Sequence, residues 1–426
     1  MADRPFTVQD IQWREVFLFT QIFKAFRIAI RPSKMLLALA AVLLMYGGGR
    51  FMDSVWPQRY MDAGYEARMG MPPFPGSAVK PFASLASDQL QNFNAASKCV
   101  LDVNWGFPSG VAGSVVRFGI ITPIEYWLAN KAYFTILFSW YLVVWALFGG
   151  AICRIAALHV ARDEVISPMR ALRFSLKALL SFITAPLIPF LMVLFVGVLI
   201  SVLGLLIYIP FVGPILSGLL LIVPMILALL MTFLVIGSIA GAGLMYPTIA
   251  VEGSDAFDAV SRALSHVFAA PWRLLFYSGV AIAYGALTYL FVRLFVFVTL
   301  AMVHFFTGWF LAGNAAQTWT MMWPKPRMDQ LAYGPDWSGL TLGGQIGAGV
   351  TSVWVYLAIS LLASYVISFY FSASTIIYLL MRRKVDATEM DSVYMDQEPE
   401  QVPDVVPAAQ APAIARPQDK TPEATA

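Results

Sequence analysis

Charge is scarce in this chain. Only 12% of its 426 residues are Asp, Glu, Lys or Arg, against 59% hydrophobic residues. A soluble globular protein of this length needs far more charge to cover its surface, so the composition implies a polytopic membrane protein. The net charge of +3 is too small to point to nucleic acid, and no soluble segment interleaves basic and aromatic residues as a nucleic-acid surface would. Cysteine is nearly absent. Cys99 and Cys153 come out on opposite sides of the predicted topology, which argues against a disulfide within the chain, and no zinc-ligand spacing exists. Walker-type phosphate loops, HExxH, paired CxxC and GxSxG nucleophile elbows are all missing. His159, His266 and His304 fall in three separate segments, so no metal, cofactor or catalytic residue is assigned. Acids are missing from the apolar blocks as well: none of the 25 Asp and Glu residues lies in a predicted span. Ion-coupled carriers commonly place a carboxylate at mid-membrane, so this absence weighs against ion-coupled transport.

What is present is a series of long apolar runs. Their spacing predicts an all-α transmembrane bundle of six spans, at about residues 35–49, 132–152, 179–209, 215–245, 274–305 and 350–381. The first run is short for about 30 Å of hydrocarbon and is expected to borrow flanking residues. It begins only after a long charged segment, so it reads as a retained anchor rather than a cleaved signal. The last four runs are over-long; they must tilt, kink at Pro186, Pro189 or Pro224, or protrude. A re-entrant pair within one of them also fits.

With both ends cytoplasmic, sixteen Lys and Arg fall on the cytoplasmic side against nine in the opposite loops. Residues 1–34 form a cytoplasmic amphipathic segment, with Thr7-x-x-Asp10 able to cap a helix over about 8–31. Residues 50–131 form an extracytoplasmic insertion, with a short helix at 84–99 and irregular chain at 104–119. The region 132–381 holds the remaining five spans. The Pro-, Ala- and acid-rich tail 382–426 is expected to be a disordered cytoplasmic segment. These features make the chain a multi-pass membrane protein with both termini expected on the cytoplasmic side.

The stretch from Tyr246 to Tyr277 concentrates rare charge between two apolar blocks. Gly253-Ser254-Asp255 breaks one helix and caps the next, and Asp258 and Arg262 stand four apart in the favourable order. Glu252, Asp255, Asp258 and Arg262 are therefore candidates for a partner or coupling loop.

Two further segments follow a related pattern. Lys24-Ala-Phe-Arg-Ile-Ala-Ile-Arg31 and Arg170-Ala-Leu-Arg-Phe-Ser-Leu-Lys177 each alternate basic, small and apolar positions before a span. Asp258-Ala-Val-Ser-Arg-Ala-Leu-Ser265 is a degenerate third copy. Any interfacial helix ahead of a span shares this character, so chance similarity is the competing explanation. Lys24, Arg27, Arg31, Arg170, Arg173 and Lys177 are candidate lipid headgroup contacts, each worth on the order of 1 kcal/mol towards anionic lipid. Deep in the fifth run lies Arg293, either an intramembrane anion contact or a side chain snorkelling to the far interface. Trp309, Trp319, Trp323 and Trp337 read as an aromatic belt. Gly237-Ser-Ile-Ala-Gly241 reads as a helix-contact face, and the Gly-rich 343–349 stretch as helix packing rather than a nucleotide loop.

Glu252, Gly253, Ala259, Val260, Arg262 and Pro271 resemble a pattern in uncharacterised bacterial multi-spanning membrane proteins, including membrane domains joined to glycerophosphodiester phosphodiesterases. The resemblance covers about 30 residues plus the general layout, and it implies a membrane-embedded role; with no phosphodiesterase domain in the chain, that activity is not implied. The spacing of Glu252 and Pro271 also resembles the cytoplasmic coupling loop of ABC-type permease subunits, with departures at Gly253, Ser254 and Asp258. The function expected is that of a non-enzymatic membrane protein whose interfacial helices meet membrane lipid, a cytoplasmic protein partner or a second copy. The alternatives are a permease subunit with an ATPase docked on residues 252–271, and a lipid-handling enzyme using Arg293.

Overall fold

The computed structural model describes residues 18–56, 81–102, 104, 106–107, 109–328, 331 and 334–394. Every regular element among them is helical. The chain enters through a 3₁₀ turn, Leu18–Phe23, and α1 (Lys24–Ala29), then the first span α2 (Pro32–Val55). The insertion contributes α3 (Pro81–Leu101), α4 (Val111–Val116) and α5 (Thr122–Ala129). The second span, α6 (Lys131–Arg162), passes through a π-helical turn at Trp145–Gly149. Next come α7 (Pro168–Lys177), the third span α8 (Leu179–Tyr208) and the short α9 (Val212–Leu219). The chain continues through α10 (Ile222–Glu252), α11 (Ala256–Ala269), α12 (Pro271–Gly308), α13 (Gly313–Met322) and α14 (Leu342–Val385), with α10, α12 and α14 the last three spans. The protein is an all-α polytopic helix bundle.

Local chemistry sets the boundaries. The Asn130 side chain accepts from Tyr133 N at 3.2 Å to start α6, Ser167 from Arg170 N at 3.3 Å to start α7, and Asp255 from Asp258 N at 2.9 Å to start α11. Gly253, at φ +65°, closes α10 with the left-handed turn that only glycine adopts without strain. Pro224 lies in the first turn of α10, where its missing N–H costs little, so it starts the helix instead of kinking it. The fourth span accordingly begins at Ile222, and 212–219 is a separate short helix rather than the start of that span. α2 takes residues from both sides of its apolar run. A helix from Val111 occupies part of the stretch expected to be irregular, and α14 runs three residues past Arg382, where the tail was expected to start. Most of that tail, together with residues 1–17, lies outside the described residues.

The six spans form three units, each an amphipathic helix followed by two spans: α1–α2–α6, α7–α8–α10 and α11–α12–α14. Within each unit the two spans pack on one another. The second spans, α6, α10 and α14, also pack pairwise. Their C-terminal portions carry most of the buried core, including every residue from Gly150 to His159 of α6. Each amphipathic helix docks on the second span of the unit before it: α7 on α6, α11 on α10 and α1 on α14. The first unit thus closes on the last.

This arrangement explains the repeated segments. Their second and sixth positions are small residues one helical turn apart: Ala25 and Ala29, Ala171 and Ser175, Ala259 and Ala263. All six are completely buried. Each amphipathic helix turns its small-residue face to the bundle, while Arg27, Arg173 and Ser261 at the fourth position are exposed. Close approach is what the small side chains permit. A Cβ on Gly241 would lie 3.5 Å from Ala263 Cβ, and one on Gly237 only 2.7 Å from Leu264 Cδ2, so the small face of α10 receives α11. The Ser175 hydroxyl donates to the Ala146 carbonyl at 2.9 Å, within the π turn where the regular helical ladder is interrupted.

The N-terminal segment packs into the bundle along one side, while Phe23, Arg27 and Ile30 stay exposed. Ile22, Ala25, Ile28 and Ala29 are buried, and Phe19, Phe23 and Phe26 pack edge-on against Phe276, Tyr284 and Phe291 of α12. It is wedged between α12 and α14, because its apolar side fills a groove there rather than lipid. At the other end, Asp53 accepts from Tyr133 OH at 2.7 Å and Phe82 N at 3.1 Å, fixing the insertion to the first two spans. The described residues through Val393 belong to one compact unit.

Candidate functional site

Polar side chains gather where α6, α10 and α14 end. Glu252, the last residue of α10, has a side chain only 10% exposed. Its carboxylate is met by Arg262 Nη1 at 2.7 Å, Arg382 Nε at 3.1 Å and the Tyr378 hydroxyl at 2.5 Å. Arg262 also donates Nε to both oxygens of Asp258, at 3.0 and 2.8 Å. Desolvation pulls the Arg262 pKa down, but the Glu252 and Asp258 carboxylates outweigh it and the net direction is up. Beside this group, His266 is 1% exposed and its Nε2 lies 3.0 Å from Asp386 Oδ2. Arg382 Nη1 reaches the Ser392 carbonyl at 2.7 Å and Arg162 Nε the Asp391 carbonyl at 3.3 Å, folding the chain after α14 back over the cluster.

The four residues expected to form a partner loop are therefore brought together in part. Glu252, Asp258 and Arg262 form one ion-pair network, and Asp255 caps α11. The exposed side of α11 carries Phe257, Ser261, Ser265 and Phe268. Tyr378, Arg382, His266 and Asp386 complete the cluster and were not singled out from sequence. Arg382 was visible there only as the first residue of the expected tail.

A buried polar line continues along α14. Ser364, Ser368, Ser372 and Thr375 recur at helical spacing and are fully buried. Ser368 Oγ donates to the Ala29 carbonyl at 2.8 Å, Lys34 Nζ to Ser372 Oγ at 3.4 Å, and Tyr365 OH to Thr288 Oγ1 at 2.7 Å. Lys34 is 0% exposed. Sequence reasoning missed it because it stands one residue before the expected start of the first span and was counted with the flanking cations. The serine spacing in α14 was the legible signal. Arg154, also buried, donates to the Ala250 carbonyl at 2.8 Å and lies over the Phe174 ring.

The expected headgroup residues divide. Arg170, Arg173 and Lys177 are exposed on α7 beside exposed Met169 and Leu176. Arg27 is exposed, Arg31 half-buried, and Lys24 half-buried with its Nζ bonded to Gln21 Oε1 at 3.2 Å. Arg293 lies at the other end of the bundle, bonded to Asn94 Oδ1 at 3.0 Å, the Met328 carbonyl at 3.2 Å and Tyr289 OH at 3.4 Å. It ties α12 to the insertion and to the segment before α14. Of the four tryptophans, Trp309 and Trp337 are exposed, whereas Trp323 is buried and its carbonyl lies 3.0 Å from His304 Nε2. Between α8 and α10 an apolar groove of about 340 Å³ is lined by Pro186, Pro189, Phe190, Val235, Ile239 and Met245.

No protein-family model matches this chain, and neither the curated proteins nor the solved structures searched hold a match to it.

Proposed function

We propose that this integral membrane protein is a non-enzymatic lipid-binding scaffold of a bacterial inner membrane, with both termini in the cytoplasm and its ring of amphipathic helices at the cytoplasmic interface. The observation that carries the reading is α7. One side of it, Ala171 and Ser175, is sealed against α6, and the other presents Arg170, Arg173 and Lys177 among exposed Met169 and Leu176. Cations and apolar side chains exposed together on one helix suit a surface that is apolar below and anionic above. The resemblance of the Glu252–Pro271 region to membrane domains joined to phosphodiesterases fits the same membrane-embedded role.

The permease reading puts Glu252 at the contact with an ATPase. Here that carboxylate is held by Tyr378, Arg262 and Arg382 and is 10% exposed, so the acids left to a partner are Asp255 and the half-exposed Asp258 rather than Glu252. The lipid reading is the better supported of the two.

The test is lipid selectivity of the purified full chain by native mass spectrometry, titrating phosphatidylglycerol against phosphatidylcholine. At about 1 kcal/mol per charge, replacing Arg170, Arg173 and Lys177 together by Ser should cut the preference for phosphatidylglycerol on the order of a hundredfold. An unchanged preference would remove α7 as the lipid-binding face. Recovery of a stoichiometric ATPase with the wild-type chain would favour the permease.

A further inference from the structure

We propose that the corner between α1 and α2 is a binding site for a phosphate group of the kind carried by an anionic phospholipid. The proposal rests on the lipid reading only for the source of that phosphate.

Four side chains define the site, graded from surface to interior. Arg27 is exposed and Arg31 half-buried, while His159 of α6 is 3% exposed and Lys34 is not exposed at all. They share one electrostatic neighbourhood: the charges of Arg31, Lys34 and Arg27 all act on the His159 ring, and that of Arg31 acts on Lys34.

Among the described residues Arg27, Arg31 and Lys34 form no ion pair, and the side-chain hydrogen bond of Lys34 is the long one to Ser372 Oγ, 3.4 Å. Both ring nitrogens of His159 are buried without a hydrogen-bond partner. The acid acting on that ring is Asp163, 3.7 Å from Nε2 and 84% exposed, so water screens its charge. Cys153, bonded to Thr375, flanks Lys34 on the inner side and brings no negative charge as a thiol. A buried lysine with one weak acceptor and a cation beside it is poorly provided for, and an entering anion would supply the partner it lacks.

The backbone adds to the attraction. The 24-residue α2 begins here with Pro32 in its first turn, and its N-cap Arg31 contributes no side-chain capping bond. Pro32 has no N–H, and those of Lys34 and Met35 donate to the Arg31 carbonyl at 3.1 Å, so the terminus offers an anion the Ser33 N–H and the helix dipole, beside the Lys34 amine.

The test is the thermal melt of the detergent-solubilised full chain with added phosphatidylglycerol, phosphatidylcholine or inorganic phosphate. Phosphatidylglycerol should raise the wild-type midpoint and phosphatidylcholine should not. Lys34→Met should melt at or above the wild-type midpoint without ligand, since it removes a buried polar group with only one weak acceptor, and lose about tenfold or more in phosphatidylglycerol affinity. His159→Gln should lose affinity in the same direction, and carries the test if Lys34→Met fails to fold. If inorganic phosphate gives a Lys34-dependent shift and phosphatidylglycerol gives none, the corner binds free phosphate and the lipid reading fails alone. If the phosphatidylglycerol shift survives in both variants but vanishes in the α7 triple variant, this inference is overturned and the lipid reading stands. No shift with any probe overturns both.

Discussion

Arg382 Nε lies 3.1 Å from Glu252 Oε1, joining the end of α14 to the end of α10. Their side chains are 12% and 10% exposed, so the pair sits where water screens it little. Arg262 and Tyr378 converge on the same carboxylate, so one acid holds the second spans of two units and the amphipathic helix between them.

Removing that acid should be costly. Glu252→Ala leaves two guanidinium groups and a buried phenol without their common acceptor. Breaking a buried pair costs roughly 3–5 kcal/mol, reduced here because Arg262 is 43% exposed and can hydrate, so a loss of about 2–4 kcal/mol is expected. Asp258→Ala, which breaks a half-exposed pair four residues apart, should cost about 0.5 kcal/mol. Thermal melts of the two variants side by side decide it; equal midpoints would deny the network its structural weight.

The three docked helices should respond alike to crowding. Ala25→Leu, Ala171→Leu and Ala259→Leu each push a larger side chain into a fully buried contact, at a cost of about 1–3 kcal/mol. Arg27→Leu and Arg173→Leu, at exposed fourth positions, should leave the melting midpoint nearly unchanged. A neutral Leu at any one of the three alanines would break the equivalence of the units.

Ser175→Ala should destabilise by about 1–3 kcal/mol, because it strips the buried Ala146 carbonyl of its side-chain donor in the π turn. Ser175→Thr keeps a hydroxyl and serves as the comparison. Melting curves that rank Thr below Ala would show that space, rather than the hydrogen bond, governs the site.

Arg293→Ala should act locally. It frees Asn94 and the Met328 carbonyl, so α3 and the segment before α14 should exchange amide hydrogens faster by about tenfold or more, while the Glu252 end keeps its protection. Uniform acceleration across the bundle would mean that Arg293 supports the whole fold.

Much of this was written along the chain. Apolar runs and basic flanks determined the number of spans, because crossing a membrane is a demand each segment meets by itself through its own backbone hydrogen bonds. The pattern shared by Lys24–Arg31, Arg170–Lys177 and Asp258–Ser265 carried the three amphipathic helices for the same reason: a periodic face is local information. Partnership was not. Glu252 read as a charge offered to another protein until α14 brought Tyr378 and Arg382 to it. Lys34 read as a flanking cation until α1 turned into the bundle and set the start of α2 beside Ser372 and His159. In both cases the sequence determined which residues face one way on a helix. Only the tertiary structure decided what stands opposite, because that depends on how the first unit closes on the last.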